Sequence, residues 1–100
     1  MKLNDFYNYI KNNNLVIVFF YSNNYPLLIE KINKIKHECT INDLNNIFLY
    51  IDCENEDNLE LIEELFIKSI PLFHIYKNNR MIEEIFGNYK NIEQIINSHI

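Results

Sequence analysis

Continuous runs of apolar residues alternate along this chain with segments in which apolar residues recur at helical spacing. The runs at 15–21 and 47–51 are uninterrupted, which is typical of strands covered on both faces, and a third run at 72–76 follows Pro71. The run at 81–86 carries Glu83 and Glu84 among its apolar residues, as edge strands often do. The pattern therefore predicts four strands.

Four helices are predicted between and around these strands. The longest has apolar positions at i, i+4, i+7 and i+11, which are Leu28, Ile32, Ile35 and Cys39. Another uses Leu59, Ile62 and Leu65–Phe66, and Asp57 with Glu60 resembles a capping box at its start. Short amphipathic helices are predicted near the two ends, at about 3–10 and 92–96.

The order of these elements predicts an α/β fold. The first two strands are separated by a helix-length segment, so they should run parallel. The last two are joined by Lys77–Arg80, where an Asn pair tolerates positive φ and favours a two-residue hairpin. We expect one domain over 1–100, with a four-stranded mixed sheet flanked by helices.

Charge and composition exclude several classes of function. The chain is 48% hydrophobic with one Gly and two Pro, which is typical of a folded domain. A net charge of −5 with scattered basic residues argues against binding to nucleic acid or to an anionic membrane. No apolar stretch is long enough to span a bilayer, and the first residues do not resemble a signal peptide. We therefore expect a cytoplasmic protein.

The residues that commonly bind metals are dispersed. His37, His74 and His99 form no ligand pattern, and the spacing of Cys39 and Cys53 matches no zinc motif. With one Gly, a phosphate-cradling loop is excluded as well. We predict no metal and no cofactor, and a structural role for His74 in its aromatic strand.

Three local segments resemble one family in order and spacing. The apolar run 16–21 leads into Asn24-Tyr25-Pro26-Leu27, the segment 66–71 ends in Ile70-Pro71, and 76–80 precedes Gly87. They resemble the central strand with its Cys-Gly-Pro-Cys turn, the approach to the cis-proline, and the Phe-Lys-Asn-Gly hairpin of thioredoxins. The chain is thus identified as thioredoxin-like, and it resembles a member without the family's first strand.

The same resemblance shows what the turn lacks. The family's dithiol chemistry needs a thiolate at a helix N-terminus and a resolving thiol one turn later. Asn24 and Leu27 occupy these two positions. Val18 stands where the family places a buried acid, and Phe48 is near its buried lysine. We therefore predict a redox-inactive member without dithiol oxidoreductase activity.

Two other features remain open to a structural or a functional interpretation. Cys39 on its apolar helix face, and Cys53 among acidic neighbours, fit structural cysteines, with redox sensing as the alternative. The acidic stretch 54–64 fits a solvated helix start. The alternative for this stretch is a docking face for a basic partner.

The resemblance also implies a peptide-binding groove beside the proline. Its residues would be Asn24, Tyr25, Pro26, Ile70, Pro71, Gly87 and Asn88. We predict an adaptor, or a small subunit of a larger assembly, that binds a protein or an extended peptide through this groove. A homodimer through an exposed sheet edge is a further expectation. The alternatives are a glutathione-binding or single-thiol redox protein, and a domain whose groove is filled by its own side chains.

Overall fold

The computed structural model describes residues 1–24, 26–41, 48–86 and 92–99. Within these residues there are four α-helices, α1 (Leu3–Asn12), α2 (Pro26–Ile41), α3 (Leu59–Glu64) and α4 (Ile92–His99). The four strands are β1 (Leu15–Tyr21), β2 (Phe48–Asp52), β3 (Leu72–Lys77) and β4 (Arg80–Phe86). A short 3₁₀ helix over Glu56–Asn58 precedes α3.

The four strands form one mixed sheet in the order β2-β1-β3-β4. β1 pairs parallel with β2, beginning at Ile17 opposite Phe48. β3 is antiparallel to both β1 and β4. The predicted parallel pair, the hairpin and the edge position of β4 are confirmed. β1 is central, and its five inner residues are buried, which explains why its sequence is apolar without alternation.

Helices cover both faces of this sheet and create two apolar cores. On one face, Ile32 of α2 and Ile95 of α4 pack with Phe19 and Phe73, whose rings stack with centroids 4.6 Å apart. On the other face, α1 and α3 pack against the strands. This core contains Phe6 and Ile10 of α1, Leu61 of α3, and Val16, Val18, Phe20 and Leu72 of the strands. Successive residues of β1 thus enter different cores.

The hairpin between β3 and β4 has the predicted two-residue turn. Asn78 and Asn79 have φ values of 52° and 68°, so both adopt the left-handed region of a type I′ turn. Asn tolerates this region better than other residues with a Cβ. The ladder slips by one residue between Ile75 and Tyr76, so the hairpin contains a bulge.

The start and the end of α3 differ from the sequence-based expectation. The predicted capping box of Asp57 and Glu60 is wrong, because the side chain of Asn55 accepts a hydrogen bond from the Asp57 N–H and α3 begins only at Leu59. The helix also ends at Glu64, so Phe66 does not continue its apolar face. Phe66 instead has φ 55° and is 79% exposed.

The described residues contain neither a helix suited to cross a membrane nor a cluster suited to hold a metal ion. Among them, no helix combines the length and the apolar character that crossing a bilayer requires. No group of three or more His, Cys, Asp or Glu side chains in the same part of the chain is arranged to hold a metal ion.

Candidate functional site

The strand register gathers the predicted site at one end of the sheet. Phe20 of β1 pairs with Leu72 of β3, and Leu72 pairs with Phe86 of β4. β2 is parallel to β1, so Asp52 lies beside Tyr21 at the same end. We call this the β1 end of the sheet: β1, β2 and β4 finish there, and β3 begins there.

The turn after β1 is held by a buried serine. Ser22 is 2% exposed, and its Oγ accepts a hydrogen bond from the Asn24 N–H over 3.4 Å. Pro26 is the first residue of α2, a position where proline is favoured because the first helical N–H groups have no partner within the helix. Asn24 and Pro26 are both exposed, so the turn is accessible from solvent.

The second half of the predicted groove lies directly before β3. The Ile70–Pro71 peptide bond is cis. Pro71 is buried, and Ile70 packs against the core on the α1 and α3 face. Register thus places Asn24, Pro26, Ile70 and Pro71 at the β1 end. The remaining predicted groove residues, Tyr25, Gly87 and Asn88, lie outside the described residues.

Positions that the resemblance assigns to proton transfer are apolar and buried. Val18 is fully buried in the centre of β1, and Phe48 at the start of β2 is 6% exposed. The structure thus supplies neither the buried acid nor the buried lysine at these positions. Any thiol chemistry must therefore use other groups.

Cys53 is a residue of the β1 end that the sequence analysis treated as structural. Its N–H donates a hydrogen bond to the Tyr21 carbonyl oxygen over 2.8 Å, which fixes it beside the end of β1. The Cys53 side chain is half-buried and free of any disulfide. The carboxyl ends of parallel strands share one edge of a sheet, and this rule would have placed Cys53 here from sequence alone.

The surroundings of Cys53 disfavour its thiolate. Burial of the thiol, reinforced by the charge of Asp52, raises the pKa of Cys53 to about 11. A hydrogen bond between the thiol itself and the Tyr21 backbone lowers the pKa, but it is the smallest of the three influences. The prediction that acidic neighbours disfavour ionisation is confirmed in direction, although burial is the larger cause.

Cys39 lies within α2, but its side chain is outside the described residues. His74 lies in the middle of β3, and its Nε2 is 2.7 Å from Oε2 of Glu84 on the neighbouring strand. Burial lowers the pKa of His74, and Glu84 opposes this shift. The prediction of a structural, hydrogen-bonded histidine is confirmed.

Comparison with known proteins gives one recurrent likeness. No family model matches the chain. Pea thioredoxin F-type, chloroplastic, is 46% identical over 44 residues, which are 44% of this chain and 24% of that protein. The chain therefore matches only about a quarter of the length of this curated relative.

The solved structures match over nearly the whole chain. Chlamydomonas reinhardtii thioredoxin f2 is 27% identical with a TM-score of 0.79, covering 99% of this chain and 93% of that one. The complex of ferredoxin:thioredoxin reductase with thioredoxin f2 contains a chain of the same fold, 24% identical with a TM-score of 0.78, with coverages of 99% and 91%. The predicted thioredoxin fold is confirmed.

These relatives overturn two predictions. The prediction that excludes dithiol oxidoreductase activity is contradicted, because the curated proteins that match up to half of this chain, and solved structures of the same fold, are thioredoxins F. The prediction of a cytoplasmic location is also wrong, since the curated relatives are chloroplastic.

Proposed function

Because the chain is thioredoxin-like, we propose that it takes part in thiol–disulfide exchange as a single-thiol redox protein in which Cys53 is the reacting thiol. The observation that supports this most is the position of Cys53. It is hydrogen-bonded to Tyr21 at the β1 end, the same end as the turn and Pro71. The adaptor role that we predicted first has no support among the relatives, which are thioredoxins. Their location favours a plastid as the compartment.

The proposed step is an exchange between Cys53 and a disulfide. The Cys53 thiol loses its proton, its sulfur attacks one sulfur of the disulfide, and a mixed disulfide forms. The original S–S bond breaks, and the departing sulfur takes up a proton. One disulfide and one thiol enter the reaction and one of each leaves it, so no further oxidant is needed.

The raised pKa sets the speed of this step. At pH 7 a thiol of pKa about 11 is ionised to roughly one part in 10⁴, against about three in a hundred for an ordinary cysteine. A more basic thiolate is intrinsically more nucleophilic, which recovers roughly tenfold. We therefore expect exchange about thirtyfold slower than with an unperturbed thiol, unless a bound partner lowers the pKa.

We propose that the disulfide belongs to a protein whose extended segment lies beside the proline. The groove would consist of Asn24, Tyr25, Pro26, Ile70, Pro71, Gly87 and Asn88. A thioredoxin f2 of the same fold has been solved in complex with ferredoxin:thioredoxin reductase, which is a precedent for a protein partner. Tyr25→Ala should then weaken partner binding, with a change in stability of less than about 1 kcal/mol.

The test of the redox function uses both cysteines. The reduced protein is incubated with glutathione disulfide, and the adduct is followed by mass spectrometry for wild type, Cys53→Ser and Cys39→Ser. We expect one glutathione on wild type and on the Cys39 variant, and none on the Cys53 variant. An adduct that persists in Cys53→Ser and disappears in Cys39→Ser would refute the assignment to Cys53. No adduct on any form would refute the function.

A further inference from the structure

Most of the negative charge of this chain lies in one segment, 52–71, that begins and ends at the β1 end. The segment 52–71 leaves the end of β2 and returns to the start of β3, and both of these points lie at that end. It contains seven acidic residues and one lysine, so its formal net charge is −6 in a chain whose net charge is −5. The remaining eighty residues together carry a net charge of +1.

Hydrogen bonds hold the first half of this segment against the sheet. The buried Asn58 side chain donates from Nδ2 to the Asp52 carbonyl oxygen over 2.9 Å, which ties the start of α3 to the end of β2. Glu54, Glu56 and Asp57 lie between them and are exposed. In the part of the chain that the structure describes, the ion pairs join His74 to Glu84 and His99 to Glu83, so these three carboxylates have no such partner there.

Large apolar side chains are exposed at the same end. Leu27 in the first turn of α2 is 81% exposed, and Phe86 at the last position of β4 is 56% exposed. Two large apolar side chains exposed at one end of the sheet favour an interaction site there.

We propose that the partner segment received at the β1 end is basic and carries a large apolar side chain. This inference rests on the proposed function and adds the chemical class of the partner. The exposed carboxylates at the start of this segment, between Asp52 and Asn58, attract lysine and arginine, while Leu27 offers an apolar contact. A second copy of this chain is disfavoured as the occupant, because it would bring the same negative end. The α2 N-terminus adds only about half a positive charge.

The test uses two fluorescent ten-residue peptides without cysteine, so that binding is measured without thiol exchange. The basic peptide contains two lysines, two arginines and two leucines, and the acidic peptide has glutamate in place of each basic residue. At low ionic strength we expect the basic peptide to bind the reduced protein at least tenfold more tightly. Raising the salt to 0.3 M should reduce that preference, because exposed charges are screened.

Matched variants locate the charge. Glu54→Gln with Glu56→Gln should weaken binding of the basic peptide about threefold to tenfold, the range expected for two exposed charge pairs. Asn12→Lys with Asn14→Lys changes the net charge equally, but at the opposite end of the sheet, and should weaken binding less than twofold. Equal effects of the two pairs of substitutions would overturn the location of the site.

The apolar contact has its own variant. Leu27→Ser should weaken the leucine-containing peptide by about tenfold and should have less effect on a peptide in which serine replaces both leucines. Leu27 is exposed, so the substitution removes little core packing. Equal weakening of both peptides would contradict the apolar contact.

Failure of this inference and failure of the proposed function are distinguishable. If the glutathione adduct forms on Cys53 but the acidic peptide binds as well as the basic one, the partner class is wrong and the thiol chemistry stands. If the basic peptide is preferred but no adduct forms, the thiol chemistry is wrong and the docking surface stands. Binding of neither peptide would overturn the inference.

Discussion

Phe66 offers a direct test of whether the backbone after α3 is strained. The helix ends in a Schellman motif, in which the Ile67 N–H bonds to the Ile62 carbonyl and the Phe66 N–H to the Glu63 carbonyl. The motif requires a left-handed residue between helix and loop, and Phe66 adopts φ 55°. Glycine normally occupies this position because it lacks the Cβ that clashes there. A bulky aromatic residue at positive φ is a genuine outlier.

The free-energy cost of this left-handed conformation can be measured by comparing glycine with alanine at position 66. Both substitutions remove the same exposed ring, so the lost contacts cancel in the comparison. A left-handed conformation costs a residue with a Cβ about 1–2 kcal/mol. The greater freedom of glycine in the unfolded chain returns about 0.4–1 kcal/mol. We therefore expect Phe66→Gly to be more stable than Phe66→Ala by about 1 kcal/mol, or about 4–8 °C in Tm.

The assay is urea unfolding of the two variants, with the same pair made at Asn8. Asn8 is an exposed residue inside α1, where glycine should be less stable than alanine by about 1 kcal/mol. The sign of the difference should therefore reverse between the two positions. If glycine is the less stable residue at position 66 as well, the left-handed strain that we assign to Phe66 does not exist.

Three other predictions follow from buried or shifted groups. With the other cysteine replaced by serine, the alkylation rate of Cys53 should rise about tenfold per pH unit from pH 7 to 10, because the thiol pKa is about 11. A rate that reaches a plateau near pH 8 would contradict this pKa. Burial lowers the pKa of His74 in the folded protein, so as the pH falls the unfolded chain binds the proton first. The wild type should therefore lose stability below pH about 6.5, as the pH falls through the folded pKa. The drop in urea midpoint between pH 7.5 and pH 5.5 should be smaller for His74→Leu than for the wild type. Phe19→Ala removes a buried ring stacked on Phe73 and should lower the free energy of unfolding by about 3–5 kcal/mol; calorimetry showing less than about 1 kcal/mol would contradict the core assignment.

The local sequence pattern predicted the structure correctly wherever one physical requirement decides the conformation. The apolar run of β1 is uninterrupted because both faces of a central strand are covered. The Asn78–Asn79 turn was predictable because few residues other than Asn and Gly tolerate two successive positive φ values. The start of α3 could not be predicted in the same way, since Asn55, Asp57 and Asn58 are all suitable N-cap residues. Only the hydrogen bonds of the folded chain select among them.

The proposed function was harder to predict because it combines residues that are distant in sequence. The absence of a cysteine pair from the turn suggested a protein without redox chemistry, whereas the relatives are thioredoxins F. Cys53 looked incidental while only its acidic neighbours were considered. Its proximity to Tyr21 follows from the pairing of β1 with β2, and the residues next to Cys53 in the sequence do not indicate that pairing.

The fold class, the central strand, the hairpin and the excess of negative charge could be predicted from the residues alone, because each depends on composition or on neighbours a few residues apart. The packing of the folded chain was needed to show that Leu27 and Phe86 are exposed at the end of the sheet where the acidic segment begins. It also decided that Phe66 is exposed in a left-handed conformation. The physical reason is that strand register joins residues separated by tens of positions, and the burial that raises the pKa of the Cys53 thiol exists only after they are packed.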